Sequence, residues 1–82
     1  MQCYVYKSAR KFDTYLYLCK RDDFDVLPSS LLEIFGKPVF ALEFDLTPVR
    51  KLAKENTATV ISNLNMQGFH LQLPPDDAQQ TP

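Results

Sequence analysis

Thr14-Tyr15-Leu16-Tyr17-Leu18-Cys19 is a run of high strand propensity with no charge, glycine or proline. The stretches on either side read as cover for it. Residues 2–6 form a second candidate strand just upstream, and residues 7–13 the turn between the two, so an antiparallel hairpin is the economical connection. Register then decides which side chains share a face, because a slip of one residue turns a strand over. With Val5 opposite Leu16 and Cys3 opposite Leu18, one face carries Cys3, Val5, Leu16 and Leu18. The other face carries Tyr4, Tyr6, Tyr15 and Tyr17, all four tyrosines of the chain. Like-sized cross-strand pairs favour this segregated register over the mixed one. It sets Cys3 and Cys19 on opposite faces, so no bridge between them is expected. Both sides of the 14–19 strand are then apolar, the pattern of a central strand covered on both faces.

Lys20-Arg21-Asp22-Asp23 ends that strand. Pro28-Ser29-Ser30 opens a short helix carrying Leu31, Leu32, Ile34 and Phe35, which Gly36 stops and Pro38 keeps from continuing. Residues 39–45 alternate, with Phe40, Leu42 and Phe44 predicted on one face and Ala41, Glu43 and Asp45 on the other. Thr47-Pro48 predicts a second helix, broken at Glu55-Asn56, with Val49, Leu52 and Ala53 inward and Arg50, Lys51 and Lys54 outward. Asn56 or Thr57 caps a third helix lined by Val60, Ile61 and Leu64 and stopped by Gly68. Residues 69–73 alternate again, and the polar, proline-rich tail 74–82 is expected to be disordered. The expected architecture is one α/β domain over residues 1–73, of order β-β-α-β-α-α-β. Its sheet is mixed and three- to four-stranded, with an N-terminal hairpin.

At 82 residues, 45% of them apolar, the chain has material for a single small core. A net charge of −1 gives no general argument for nucleic acid or an anionic membrane as partner. The charge is segregated, however. Five basic residues lie between Met1 and Arg21 against Asp13 alone, and six acids between Asp22 and Asp45 against Lys37 alone. Two cysteines without an apolar leader point to free thiols in a reducing compartment, and no apolar run approaches a membrane span. A cytoplasmic protein, monomeric and away from membranes, is the expectation.

Motifs for chemistry are sparse. His70 is the only histidine and falls on the polar side of its strand, where a surface role is expected. Neither thiol stands at a helix start or in a basic cluster that would activate it. Two cysteines and one histidine show no ligand spacing, and Asp22, Asp23 and Asp25 lack the glycine and closing glutamate of a calcium loop. Gly36 and Gly68 are both spent as helix stops, leaving no phosphate-cradling loop. No catalytic, cofactor-binding or metal-binding residue is assigned, and no cofactor is expected. The remaining feature is cationic. Lys7, Arg10 and Lys11 project from the hairpin turn and Lys20 and Arg21 leave the far end of the second strand, all beside a tyrosine face represented by Tyr6 and Tyr15. Rings flanked by cations hold single-stranded RNA in several folds. A sandwich needs cover on both faces of its sheet, so closing the core beneath a helix is the favoured reading of the same tyrosines.

Five motifs in order carry a resemblance: Tyr6-Lys7-Ser8, Thr14-Tyr15-Leu16-Tyr17, the run from Lys20 to Phe24, Phe35-Gly36-Lys37-Pro38, and Leu71-Gln72-Leu73-Pro74-Pro75. Together they resemble the YcgL family of small bacterial proteins over nearly the whole chain. The resemblance implies an α/β/α sandwich in a cytoplasmic protein and supplies no catalytic residue to transfer. Some members are encoded beside ribonuclease D, which points toward RNA metabolism by association. Cys19 stands where another member carries an acid, so the resemblance gives that thiol no role. The functional expectation is a non-enzymatic binding or accessory protein whose partner is RNA or an RNA-processing protein. An adapter docking an acidic partner surface is the alternative, and an enzyme of unknown reaction comes third.

Overall fold

The turn over residues 9–13 decides how the first two strands meet. The computed structural model describes residues 1–52 and 54–74. Strands β1 (Gln2–Ser8) and β2 (Tyr15–Leu18) pair as an antiparallel hairpin. The Ser8 amide donates to the Thr14 carbonyl at 3.0 Å, and Asp13 reverses the chain with φ 57°. Inside the turn, the amides of Arg10 and Lys11 donate to Ser8 Oγ at 3.1 and 2.8 Å. Closure at Ser8–Thr14 fixes the pairs Tyr4–Leu18, Val5–Tyr17, Tyr6–Leu16 and Lys7–Tyr15. This is one residue away from the register expected from like-sized pairing, so the tyrosines are not gathered on one face. The hydrogen bonds of the turn outweigh the modest preference among cross-strand pairs.

Strand β3 (Pro38–Asp45) flanks β1, and β4 (Phe69–Gln72) flanks β2, giving the order β3-β1-β2-β4 with every neighbour antiparallel, not the mixed sheet expected, because each outer strand runs against the hairpin strand it joins. As its two apolar faces predict, β2 is central. On one face Tyr6, Leu16 and Leu18 pack with Leu27 and Phe35, joined by Tyr4, Phe24, Leu31, Leu32, Phe69 and Leu71. Helix α1 (Ser29–Phe35) and the 3-10 turn Phe24–Val26 before it supply this cover. On the other face Cys3, Val5 and Tyr17 pack with Leu46, Val60 and Leu64, the last two from helix α2 (Thr57–Gln67). The result is an α/β/α sandwich of two small cores separated by the sheet.

Helix boundaries follow the sequence signals. Asn56 caps α2 by accepting from the Thr59 amide at 3.0 Å, and Gly68 ends it in the left-handed region at φ 85°. Gly36 ends α1 at φ 76°. Two expectations are corrected. Ala41 in β3 has no partner on β1, where Val5 pairs with Leu42 and Tyr6 with Phe40. This bulge breaks the alternation, sending Phe40 to the α1 face beside Tyr6 while Leu42 and Phe44 stay on the α2 face. Thr47–Pro48 makes a single turn, with the Arg50 amide donating to the Thr47 carbonyl at 3.0 Å, and no helix develops over the described part of 47–55. Thr57 Oγ1 donates to the Arg50 carbonyl at 2.6 Å and Leu46 and Leu52 drop into the core, which holds the described residues of this segment against the sheet. The tail expected to be disordered lies, from Pro75 onward, outside the described residues.

Candidate binding site

Because the described residues of 46–55 form no helix, the α2 face of the sheet is incompletely covered toward the hairpin turn. Two adjoining hollows open there. The first, about 340 Å³, has Val5, Leu42, Phe44 and Leu52 as its floor and Tyr15, Tyr17 and Gln72 as one wall. Arg50 and Lys51 form the opposite rim, with the Arg50 guanidinium 4.4 Å above the centre of the Phe44 ring. The second, about 390 Å³, is enclosed by the turn itself, with Lys7, Lys11, Phe12 and Val39 around it. Tyr15 lines both, so the groove made up of these two hollows has its ring at their boundary.

The groove is cationic. Lys7, Lys11, Arg50 and Lys51 are exposed along it, and among the described residues none of the four makes an ion pair. The nearby acids are engaged. Asp13 Oδ2 accepts from Lys54 Nζ at 3.3 Å, tying the turn to the 46–55 segment. Glu55 is paired with His70. Phe12 at the lip is 88% exposed.

A polar network stands behind the wall. Tyr17 donates its hydroxyl to Gln72 Oε1 at 2.7 Å, and its ring lies edge-on to His70 at 5.6 Å. The Asn63 amide nitrogen lies 2.9 Å from His70 Nδ1 and can only donate, so Nδ1 accepts and the Nε2 proton faces the Glu55 carboxylate. His70 is therefore buried, not the surface residue that alternation in its strand suggested, because α2 packs directly on β4. Burial, with Glu55 nearby, pushes the Tyr17 hydroxyl up to about 12, so it stays a hydrogen-bond donor throughout the physiological range.

Of the residues singled out from sequence, the fold brings Lys7, Lys11 and Tyr15 together and separates the others. Arg10 turns to the α1 side, where Nη1 donates to the Glu33 carbonyl at 2.6 Å and its stem covers Gly36. Tyr6 is buried on the α1 face, its hydroxyl donating to Asp22 Oδ1 and accepting from the Asp22 amide, both at 2.8 Å. Arg21 lies on that face too, 4.4 Å over the Phe40 ring and 3.7 Å from Glu43 Oε1. Lys20 is exposed beyond the end of β2, away from the turn. Arg50 and Lys51 were missed because the helix expected at 47–55 turned them outward. Their signal was a pair of adjacent cations between Val49 and Leu52, which a non-helical segment carries as well as a helix.

The family model described as the YcgL domain matches residues 3–75. The chain belongs to the YcgL domain family. A YcgL domain-containing protein of Thioalkalivibrio sulfidiphilus is 56% identical over 77 residues, covering 94% of this chain and 95% of the relative. The YcgL domain-containing protein of Pseudomonas entomophila is 51% identical over 75 residues, 92% of this chain and 77% of that one. For a Pseudomonas aeruginosa YcgL domain-containing protein the figure is 47% over 77 residues, 94% and 79% of the two chains. The YcgL match runs from Cys3 in β1 past the end of β4, so it takes in every residue that lines the groove. Among the described residues of this YcgL domain no three His, Cys, Asp or Glu side chains gather as they would to hold a metal ion, and no helix is long and apolar enough to cross a membrane.

Proposed function

We propose that the protein is a non-enzymatic accessory protein of RNA metabolism that holds single-stranded RNA in the groove on the α2 face. The observation that carries this reading is the placement of Tyr15 between two hollows whose rims bear Lys7, Lys11, Arg50 and Lys51. Bases stack on exposed rings and phosphates track flexible cations, a combination that tolerates many sequences. Both nitrogens of the only histidine are engaged, which leaves no imidazole free to activate a thiol or hydroxyl and supports binding over catalysis.

The test is fluorescence anisotropy with a short labelled single-stranded RNA across a range of salt concentrations. Affinity is expected to fall with salt, and replacing Lys11 and Lys51 with alanine should flatten the log–log slope by about 0.7 per lost phosphate contact. Tyr15→Ala should weaken binding by about 1–3 kcal/mol and leave the slope unchanged. Absence of salt-dependent binding by the wild-type chain to any RNA removes the reading. One observation favours a second reading: the aliphatic floor of Val5, Leu42 and Leu52 suits apolar side chains better than bases. An adapter taking an acidic, apolar-studded segment of a partner protein would use the same four cations and recover that partner, not RNA.

A further inference from the structure

The two cysteines were expected on opposite faces, and the register puts them on the same one. Tyr4 pairs with Leu18 at the last rung of the β1–β2 ladder, and the same register carried one step further matches Cys3 with Cys19, just past the end of β2. Both thiols pack into the α2-side core with Tyr17, Leu46, Val60 and Leu64, and both are free. Residues directly opposite on antiparallel strands have Cα atoms about 4.5–5.5 Å apart, inside the span that a disulfide bridges. Cβ atoms at such a rung stand about 4.5–5.5 Å apart and must draw in toward about 3.8 Å. Cys19 has room for that movement. It lies one residue past the end of β2, in a bend.

We propose that Cys3 and Cys19 form a thiol–disulfide exchange site, oxidised to a cross-strand bridge by a low-molecular-weight disulfide of the glutathione type. The two thiols have different parts in it. Cys3 is fully buried, and burial together with the nearby Cys19 pushes its thiol up to about 12, so it does not meet external reagents as a thiolate. Cys19 is half-buried at the edge of the cluster and is the point of entry. The Cys19 thiolate attacks one sulfur of the small disulfide, forming a mixed disulfide and releasing one small thiolate. Cys3 Sγ then attacks Cys19 Sγ, and its proton passes to the second small thiolate as that group leaves as a thiol. Two protein thiols are oxidised and one small disulfide is reduced to two thiols, so electrons and atoms balance. A small dithiol reverses both steps. The bridge joins the start of β1 to the end of β2, next to the groove floor through the Cys3–Phe44 pair, and neither cysteine lines the groove itself.

The experiment uses the full chain, reduced, freed of reductant and incubated with oxidised glutathione under native conditions, with intact-mass and peptide analysis. The expected product has lost two hydrogens, yields a Cys3–Cys19 cross-linked peptide, remains monomeric and returns to the starting mass with dithiothreitol. Cys3→Ser should stop at a stable glutathione adduct on Cys19, and Cys19→Ser should take up none. Cys19→Ser lies in a bend and is expected to fold, so the comparison stands even if Cys3→Ser does not. A wild-type chain that holds the glutathione adduct on Cys19 with Cys3 still free overturns the proposal. A disulfide-linked dimer, or reaction only after a denaturant is added, overturns it as well.

Discussion

Tyr17 is the residue through which sheet, helix and groove are most closely joined. Its ring fills the α2-side core, its edge meets His70, and its hydroxyl supplies the donor for Gln72 Oε1 at the groove wall. Tyr17→Phe keeps the ring and leaves a buried acceptor without its partner, a change that costs about 1–3 kcal/mol. The pH dependence has a definite sign. The folded hydroxyl titrates near 12 and an unfolded one near 10, so below pH 10 both states keep the proton and the contribution is whole. Between 10 and 12 the unfolded chain releases the proton and the folded chain does not, so this stabilisation is lost as pH rises. The gap in urea midpoint between wild type and Tyr17→Phe should therefore be constant from pH 7 to 9 and narrow above 10. A gap independent of pH throughout would mean that the hydroxyl is not held protonated by the fold. Cys3 has the same sign from pH 9 upward and contributes equally to both proteins, so it cancels in the comparison.

At the scale of elements, β2 is the strand on which both cores depend. Leu16 is 1% exposed, sits opposite Tyr6 and Leu71, and packs with Leu27 and Phe35 of the α1-side cover. Truncation to alanine should cost about 2–5 kcal/mol in a domain whose whole stability is of order 5–15 kcal/mol. Chemical denaturation would show it as a large loss of midpoint or as a chain already unfolded in water. Gly68→Ala should also destabilise, for two reasons that add. The position needs φ 85°, and a new Cβ would lie 3.2 Å from Val26 Cγ1. Both of these elements were legible in the chain: an uncharged β-rich run for the strand, and a glycine after the last apolar helix position for the stop. Register was not, because it is set by the hydrogen bonds of Ser8 and the left-handed Asp13 in the turn, which residue pairing across strands does not report. Nor was the 47–55 segment, where Thr-Pro chemistry satisfies a single turn as well as a helix and long-range anchoring by Leu46, Leu52 and Thr57 decides. The candidate site divides in the same way. Lys7, Lys11 and Tyr15 lie on or beside the hairpin and could be gathered by eye, whereas Arg50 and Lys51 join them only through that anchored segment.

The whole molecule is a sheet with unequal covers. The α1 side is closed by helix, 3-10 turn and the Arg21–Phe40 stack, and the α2 side stays open where the groove lies. Its two edges are unequal too, and here the bulge at Ala41 matters beyond the faces it sets. Strand β3 spans eight residues at the edge of the sheet, with Val39, Phe40 and Leu42 each more than one third exposed. A straight edge of that length and character is a template on which another chain can add as a further strand, and on from there into aggregate. The unpaired residue interrupts the outward row of amides and carbonyls and increases the local twist, so a second straight edge cannot match it along its length. Deleting Ala41 would leave every other side chain of β3 on its present face and restore an unbroken ladder to β1. The shortened chain should keep its fold, or gain stability, and yet associate as its concentration rises, read by light scattering against the wild-type chain. If it stays monomeric at the same concentrations, the exposed valine, phenylalanine and leucine are harmless for some other reason. The bulge would then serve only to aim Phe40 at Tyr6.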